Sequence, residues 1–169
     1  MIDKAIEFAV RMHKGQKRKY SGLPYITHPI GVMEIVATVC HTKEMLIAAV
    51  LHDVVEDCDV EIKDITLFFG KEISQMVEQL TDISKPGDGN RAKRKAIDAM
   101  HLSHAWPCVK TIKLADLIHN SESIIRCDPE FAKVYIKEMG VLLESLIGGD
   151  DELMKQAKFI LENYNIKGK

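Results

Sequence analysis

The stretch Met45-Leu46-Ile47-Ala48-Ala49-Val50-Leu51 is apolar at every position, and it runs directly into His52-Asp53-Val54-Val55-Glu56-Asp57. An apolar run without alternation fits a helix covered on nearly all sides, in the middle of a helical bundle. The hexapeptide after it is a poor way to finish a core. One imidazole and three carboxylates come within six residues, and each is costly to bury without a partner. Two readings stay open at this point. A divalent cation would supply the missing partner, since neutral imidazole and carboxylate are ordinary ligands for one; a solvated helix end with capping acids would need no ion.

Working outward, apolar residues recur with helical period almost everywhere: Ile2, Ile6, Ala9 and Met12 near the start, then Ile30, Met33 and Ala37 behind Pro29. Pro29 suits a first helical turn, where a missing N–H does no harm. Gly70 divides a helix around Ile62 to Phe69 from one running from about Lys71 to Ile83. Lys85-Pro86-Gly87-Asp88-Gly89 is the clearest loop. Asn90 can cap a helix to about Ser103, Pro107 can open one through Ile125, Asp128 with Pro129 restarts the chain toward Ile147, and Asp150 caps a last helix ending near Tyr164. No alternating strand pattern, repeat or low-complexity tract interrupts this series. The expected fold is all-α: a single-domain helical bundle over residues 1–169.

The bulk properties agree and exclude several classes. A chain of 169 residues with 46% hydrophobic content can build one core. With 23 basic and 25 acidic residues the formal charge is -2, so no nucleic acid polymer or anionic membrane is called for, and any anion must be gripped locally. Cys40, Cys58, Cys108 and Cys127 are scattered without a Cys-x-x-Cys pair, which suits reduced thiols and a cytoplasmic location. The amino terminus lacks the features of a signal peptide, and the longest apolar run is far short of the ~18 residues of a membrane span.

Three further features bear on chemistry. Asp116 lies in Ile112-Lys113-Leu114-Ala115-Asp116-Leu117-Ile118-His119-Asn120, otherwise apolar enough for a central helix, with Asn120 on the same face. It is either a ligand or an acid paired with a neighbouring Lys. His28, before Pro29, is taken alone more often a capping or packing residue than a ligand. Lys14, Lys17, Arg18 and Lys19 crowd before the turn-like Ser21-Gly22-Leu23-Pro24; such a cluster can hold phosphate or form a plain solvated loop. Arg91, Lys93, Arg94 and Lys95 form a second basic group, splayed over more than one helix face.

Taken in order, these segments form one series. Ala5, Phe8-Ala9 and His13-Lys14-Gly15-Gln16 lead to Arg18-Lys19, Gly22, Pro24-Tyr25-Ile26 and His28-Pro29-Ile30; then come Ala48 to Asp57, Phe69-Gly70, Leu80-Thr81, and Lys113-Leu114-Ala115-Asp116 with Asn120. The series resembles the HD-domain metal phosphohydrolases, and among them the hydrolase domain of the RelA/SpoT family, which degrades guanosine tetra- and pentaphosphate alarmones. The resemblance covers about residues 1–126, leaves carboxyl-terminal helices over about 129–164, and is closest to the small stand-alone hydrolases that lack synthetase and regulatory domains.

The resemblance implies an HD-type bundle in which His28, His52, Asp53 and Asp116 hold one divalent ion, usually manganese, while Glu56 and Asp57 position or deprotonate the attacking water. It implies that Asn120 contacts the nucleotide and that Arg18 with Lys19 meets its base or phosphates. The expected reaction is hydrolysis of the 3′-pyrophosphate of ppGpp or pppGpp to GDP or GTP and pyrophosphate. Two departures from the family pattern bear on the substrate. The loop holding Tyr20-Ser21 is a residue longer than in some relatives, and Leu117 stands directly after Asp116 where many relatives carry a basic residue. Alternatives are the same site acting on another phosphorylated nucleotide, an adenosine alarmone or NADPH, and an antitoxin-like or regulatory binding protein.

Overall fold

The first helix, α1 (Ile2–Met12), buries Ala5, Phe8 and Ala9 on one face. After it the chain turns twice through glycines with positive φ, Gly15 at 86° and Gly22 at 68°, a conformation open to a residue without a Cβ. An isolated antiparallel bridge between Lys17 and Pro24 closes this loop. Helix α2 (Thr27–Val36) then buries His28, Pro29, Val32 and Val36.

Helix α3 (Lys43–Leu51) is the expected central helix. Thr42 caps it, its hydroxyl accepting from the Met45 N–H at 3.2 Å. Ala48, Ala49, Val50 and Leu51 have no exposed surface at all. Covering a Val or Leu side chain this fully contributes about 1.5–3 kcal/mol apiece. The cover comes from α1, α2 and a later helix, α6, with short α4 (Val54–Asp57) and α5 (Ile62–Phe69) between. Gly70, at φ 92°, ends α5 and opens α6 (Lys71–Leu80). Phe8 meets Phe69 edge-on, with ring centroids 5.4 Å apart.

The computed structural model describes residues 1–167, and they fall into two compact units divided between Thr81 and Asp82. In the second unit a 3₁₀ turn at Pro86–Asp88 leads to α7 (Arg91–Ser103), α8 (Pro107–Cys127), α9 (Pro129–Ser145) and α10 (Asp151–Lys167). Asn90 and Asp128 cap α7 and α9 through their side chains, and Asp150 accepts from the N–H groups of Glu152 and Leu153. Helix α8 packs on α9 and α10, and α7 on α9. The α9–α10 turn comes so close to α8 that a Cβ on Gly149 would stand 3.0 Å from Leu114 Cδ1 and 3.1 Å from the Lys110 carbonyl carbon.

The all-α expectation holds, and three boundaries differ from the sequence reading. Residues 54–57, for which the sequence reading gave no helix of their own, form a separate helical turn. Helix α6 stops at Leu80, not Ile83, because the buried Asp98 carboxylate draws the N–H groups of Ile83 and Ser84 at 3.1 and 2.9 Å into a loop. Helix α10 continues past Tyr164 to Lys167. No described helix is long and apolar enough to cross a membrane. All four cysteines are free thiols.

Candidate metal centre and active site

In the first unit, α2 presents His28, and the end of α3 presents His52 with Asp53 directly behind it. Both histidines are almost fully buried, at 1% and 2% exposure. Nitrogen and carboxylate donors from the three residues lie within 4.8 Å of one another. His52 Nε2 is 3.1 Å from Asp53 Oδ1, and His28 Nε2 is 3.5 Å from Asp53 Oδ2.

The other ring nitrogen of His52 decides what this gap can hold. His52 Nδ1 lies 2.8 Å from the Ala49 carbonyl oxygen. A carbonyl only accepts, so Nδ1 carries a proton, and in the neutral form of the ring Nε2 offers its lone pair toward the carboxylate. A nitrogen lone pair and a carboxylate oxygen facing one gap are the donor set that a divalent cation takes. A backbone carbonyl fixing the distal nitrogen is also how metal-ligating histidines are normally held. The three side chains therefore fit a divalent ion.

Tyr25 sets the orientation of Asp53, its hydroxyl donating to Oδ2 at 2.7 Å. Burial first, then the charges of Asp53 and Asp57, push the phenol's pKa far above its usual range, so it stays a donor. Helix α4 carries Glu56 and Asp57 at the solvent edge, one turn beyond Asp53. Partial withdrawal from water and the Asp53 charge raise the Asp57 carboxyl above the ordinary carboxylate range, against the lowering effect of the Tyr25 hydroxyl. Arg18 lies over the Tyr25 ring, 5.8 Å from its centroid. Lys19 donates to the Tyr20 hydroxyl at 3.1 Å.

The second unit holds Asp116 and Asn120 on α8. Asp116 is 5% exposed and is bonded by Lys113 Nζ at 2.8 Å and by Asn120 Nδ2 at 2.7 Å. This unit contains a cavity of about 630 Å³ whose lining includes Asp116, Asn120 and the cations Arg91, Lys95, Lys113 and Lys137. Arg91 makes a two-pronged contact with Glu138, at 2.6 and 2.8 Å, and lies over the Phe131 ring. Lys95 is paired with Asp82 at 2.8 Å.

A family model described as HD domain matches residues 5–141. The chain belongs to the HD domain family. Among curated relatives, the guanosine-3′,5′-bis(diphosphate) 3′-pyrophosphohydrolase MESH1 of Homo sapiens is 37% identical over 129 residues, covering 75% of this chain and 70% of that protein. The protein of the same name in Mus musculus is 32% identical over 166 residues, covering 94% and 91%. A solved structure described as a metazoan orthologue of SpoT that hydrolyses ppGpp superimposes with a TM-score of 0.87 at 25% identity, over 96% of this chain and 94% of that one. A protein of Listeria monocytogenes shares the fold at a TM-score of 0.65 and 18% identity, over 80% of this chain and 96% of that one.

An HD domain implies a divalent metal, and the fit of His28, His52 and Asp53 to one agrees with the family. Sequence reasoning gave Tyr25, His13 and Gln16 no role of their own, although all three stand in the ordered motif series. A tyrosine three residues before the candidate ligand His28 was the available signal for Tyr25. Lys137 had none, since a helix-surface lysine looks the same whether or not it lines a cavity.

Proposed function

We propose that this HD domain protein hydrolyses the 3′-pyrophosphate of ppGpp and pppGpp, adding water across the bond and releasing pyrophosphate with GDP or GTP. The observation that carries the reading is the buried His28–His52–Asp53 cluster, found in a chain similar over most of its length to hydrolases of that specificity. His28, His52 and Asp53 would hold a divalent ion, which when bound would neutralise charge on the phosphoryl oxygens and lower the pKa of a water. We take manganese as the ion, and Asp116 as the fourth ligand on the strength of its place in the ordered motifs.

The chain's own residues do the rest. Tyr25 keeps the Asp53 carboxylate turned toward His28 and His52. Glu56 and Asp57 hold and deprotonate the attacking water, a role for which a carboxyl with a raised pKa is the better base near neutral pH. Arg18 and Lys19 meet the nucleotide's base or phosphates, and Asn120 contacts the nucleotide. Residues 1–169 then act as one HD-type catalytic domain on a small cytoplasmic nucleotide.

A substrate panel tests the reading. Manganese-loaded protein is assayed with ppGpp, pppGpp, an adenosine alarmone and NADPH, and kcat/KM is compared across them. The two guanosine alarmones should lead by at least about tenfold, a margin of roughly 1.4 kcal/mol in transition-state binding. A lead for the adenosine alarmone or NADPH would move the assignment to that substrate.

A further inference from the structure

Helix α4 is four residues long, too short to sustain itself in water. It nonetheless carries Glu56 and Asp57, the acids assigned to the attacking water. One backbone bond, from the Asp57 N–H to the Asp53 carbonyl at 2.9 Å, closes the turn, and the carbonyls of α4 itself belong to a last turn, which looks outside the helix for donors. The structure shows contacts from the loop after α1 reaching both ends of α4.

At the far end, Gln16 Nε2 donates to the Asp57 carbonyl at 2.9 Å, across 41 residues of chain, and approaches Cys58 Sγ at 3.8 Å. The orientation of that amide follows from chemistry. The Asp57 carbonyl accepts only an N–H, so Gln16 Nε2 faces it and Oε1 faces the other way. Oε1 lies 2.8 Å from His13 Nδ1, so Nδ1 carries the proton and donates. His13 is 3% exposed, and its ring stacks on Tyr25 with centroids 4.8 Å apart. Tyr25 in turn grips Asp53, the residue capping the near end of α4. Both ends of α4 are thus tied to one buried imidazole.

We propose that Gln16, fixed by His13, is a positioning residue that clips the end of α4 and so aims the Glu56–Asp57 pair. Gln16 acts through the backbone of Asp57, which separates its effect from metal binding. The inference rests on the reading of Glu56 and Asp57 as the catalytic acids, and its test keeps the two apart.

Two variants of the protein are compared with the wild type: Gln16→Leu, which removes its contacts to His13, the Asp57 carbonyl and Cys58 Sγ, and Gln16→Glu, which keeps the acceptor for His13 but sets an oxygen against the Asp57 carbonyl. Metal content, kcat and KM toward ppGpp, and amide hydrogen exchange across residues 54–58 are measured for each. Both variants should keep full metal content and a KM within about twofold of wild type while kcat falls about tenfold, the pattern for lost transition-state alignment. Exchange across 54–58 should speed up by about fivefold or more, as befits loss of a net hydrogen bond. Unchanged exchange with unchanged kcat would overturn the clip, as would a kcat loss that tracks loss of metal or a rise in KM. If the wild type hydrolysed no ppGpp, the hydrolase reading would fall, and exchange alone would decide whether Gln16 holds α4.

Discussion

Asp53 shows how much one side chain is asked to do. Its two oxygens face the Nε2 atoms of His52 and His28 at 3.1 and 3.5 Å, while Tyr25 donates to it at 2.7 Å. Removing only the phenolic oxygen leaves the ligand but frees it to turn. Tyr25→Phe should therefore weaken metal affinity by about 10–100-fold, the usual effect of losing a residue that orients a ligand. Competition against a chelator of known affinity measures this, and an unchanged affinity would mean that the hydroxyl does not orient Asp53. The residues at this scale were unequally legible. His52 and Asp53 stood out because polar groups after an apolar helix need a partner. Asp116 stood out more weakly, as an acid on an otherwise apolar helix, and His28 carried no such contrast; both became candidate ligands through their order along the chain. Asp116 does have the lysine partner that an ordinary acid would have, Lys113 at 2.8 Å. Gln16 stood in the ordered series, but its role was not legible, because it lies in reaching a carbonyl 41 residues away.

Among the elements, the helices were legible wherever caps and apolar period coincide. Asn90, Asp128 and Asp150 each begin a helix as their side chains require. Reading failed where a tertiary contact overrode the local pattern: Asp98 unwinds the chain after Leu80, and the end of α4 is held by Gln16. The α9–α10 turn offers a test of element packing. Gly149→Ala places a methyl 3.1 Å from the Lys110 carbonyl carbon and 3.0 Å from Leu114 Cδ1. The leucine can rotate away, but the backbone of α8 has nowhere to go. The substitution should cost about 1–3 kcal/mol, as overpacking typically does, read as a lower midpoint in urea with an unchanged slope. An unaltered midpoint would show that the turn is looser than its geometry.

At the scale of the whole molecule, charge and metal matter more than any one contact. In a chain of formal charge -2, Arg91, Lys95, Lys113 and Lys137 line one cavity, where Asp82, Asp98, Asp116 and Glu138 balance them. The total charge was legible from composition; this gathering was not, since it depends on how α7, α8 and α9 pack. A metal that binds only the folded protein stabilises it by mass action, about 2.7 kcal/mol when free metal is 100 times its Kd. Stripping the protein with a chelator should lower Tm by roughly 5–10 °C for a chain of this size, and Asp53→Ala should make Tm insensitive to metal. Equal Tm values with and without metal in the wild type would show that no ion is held at the cluster.

The most direct measurement of the central claim is pyrophosphate release from ppGpp by protein whose metal has been removed and then restored as manganese. The wild type should release one pyrophosphate and one GDP per ppGpp consumed, only after manganese is restored, and Asp53→Ala should fall below the wild type by about a thousandfold or more. Release by the metal-free wild type, or by Asp53→Ala at a comparable rate, would contradict the account.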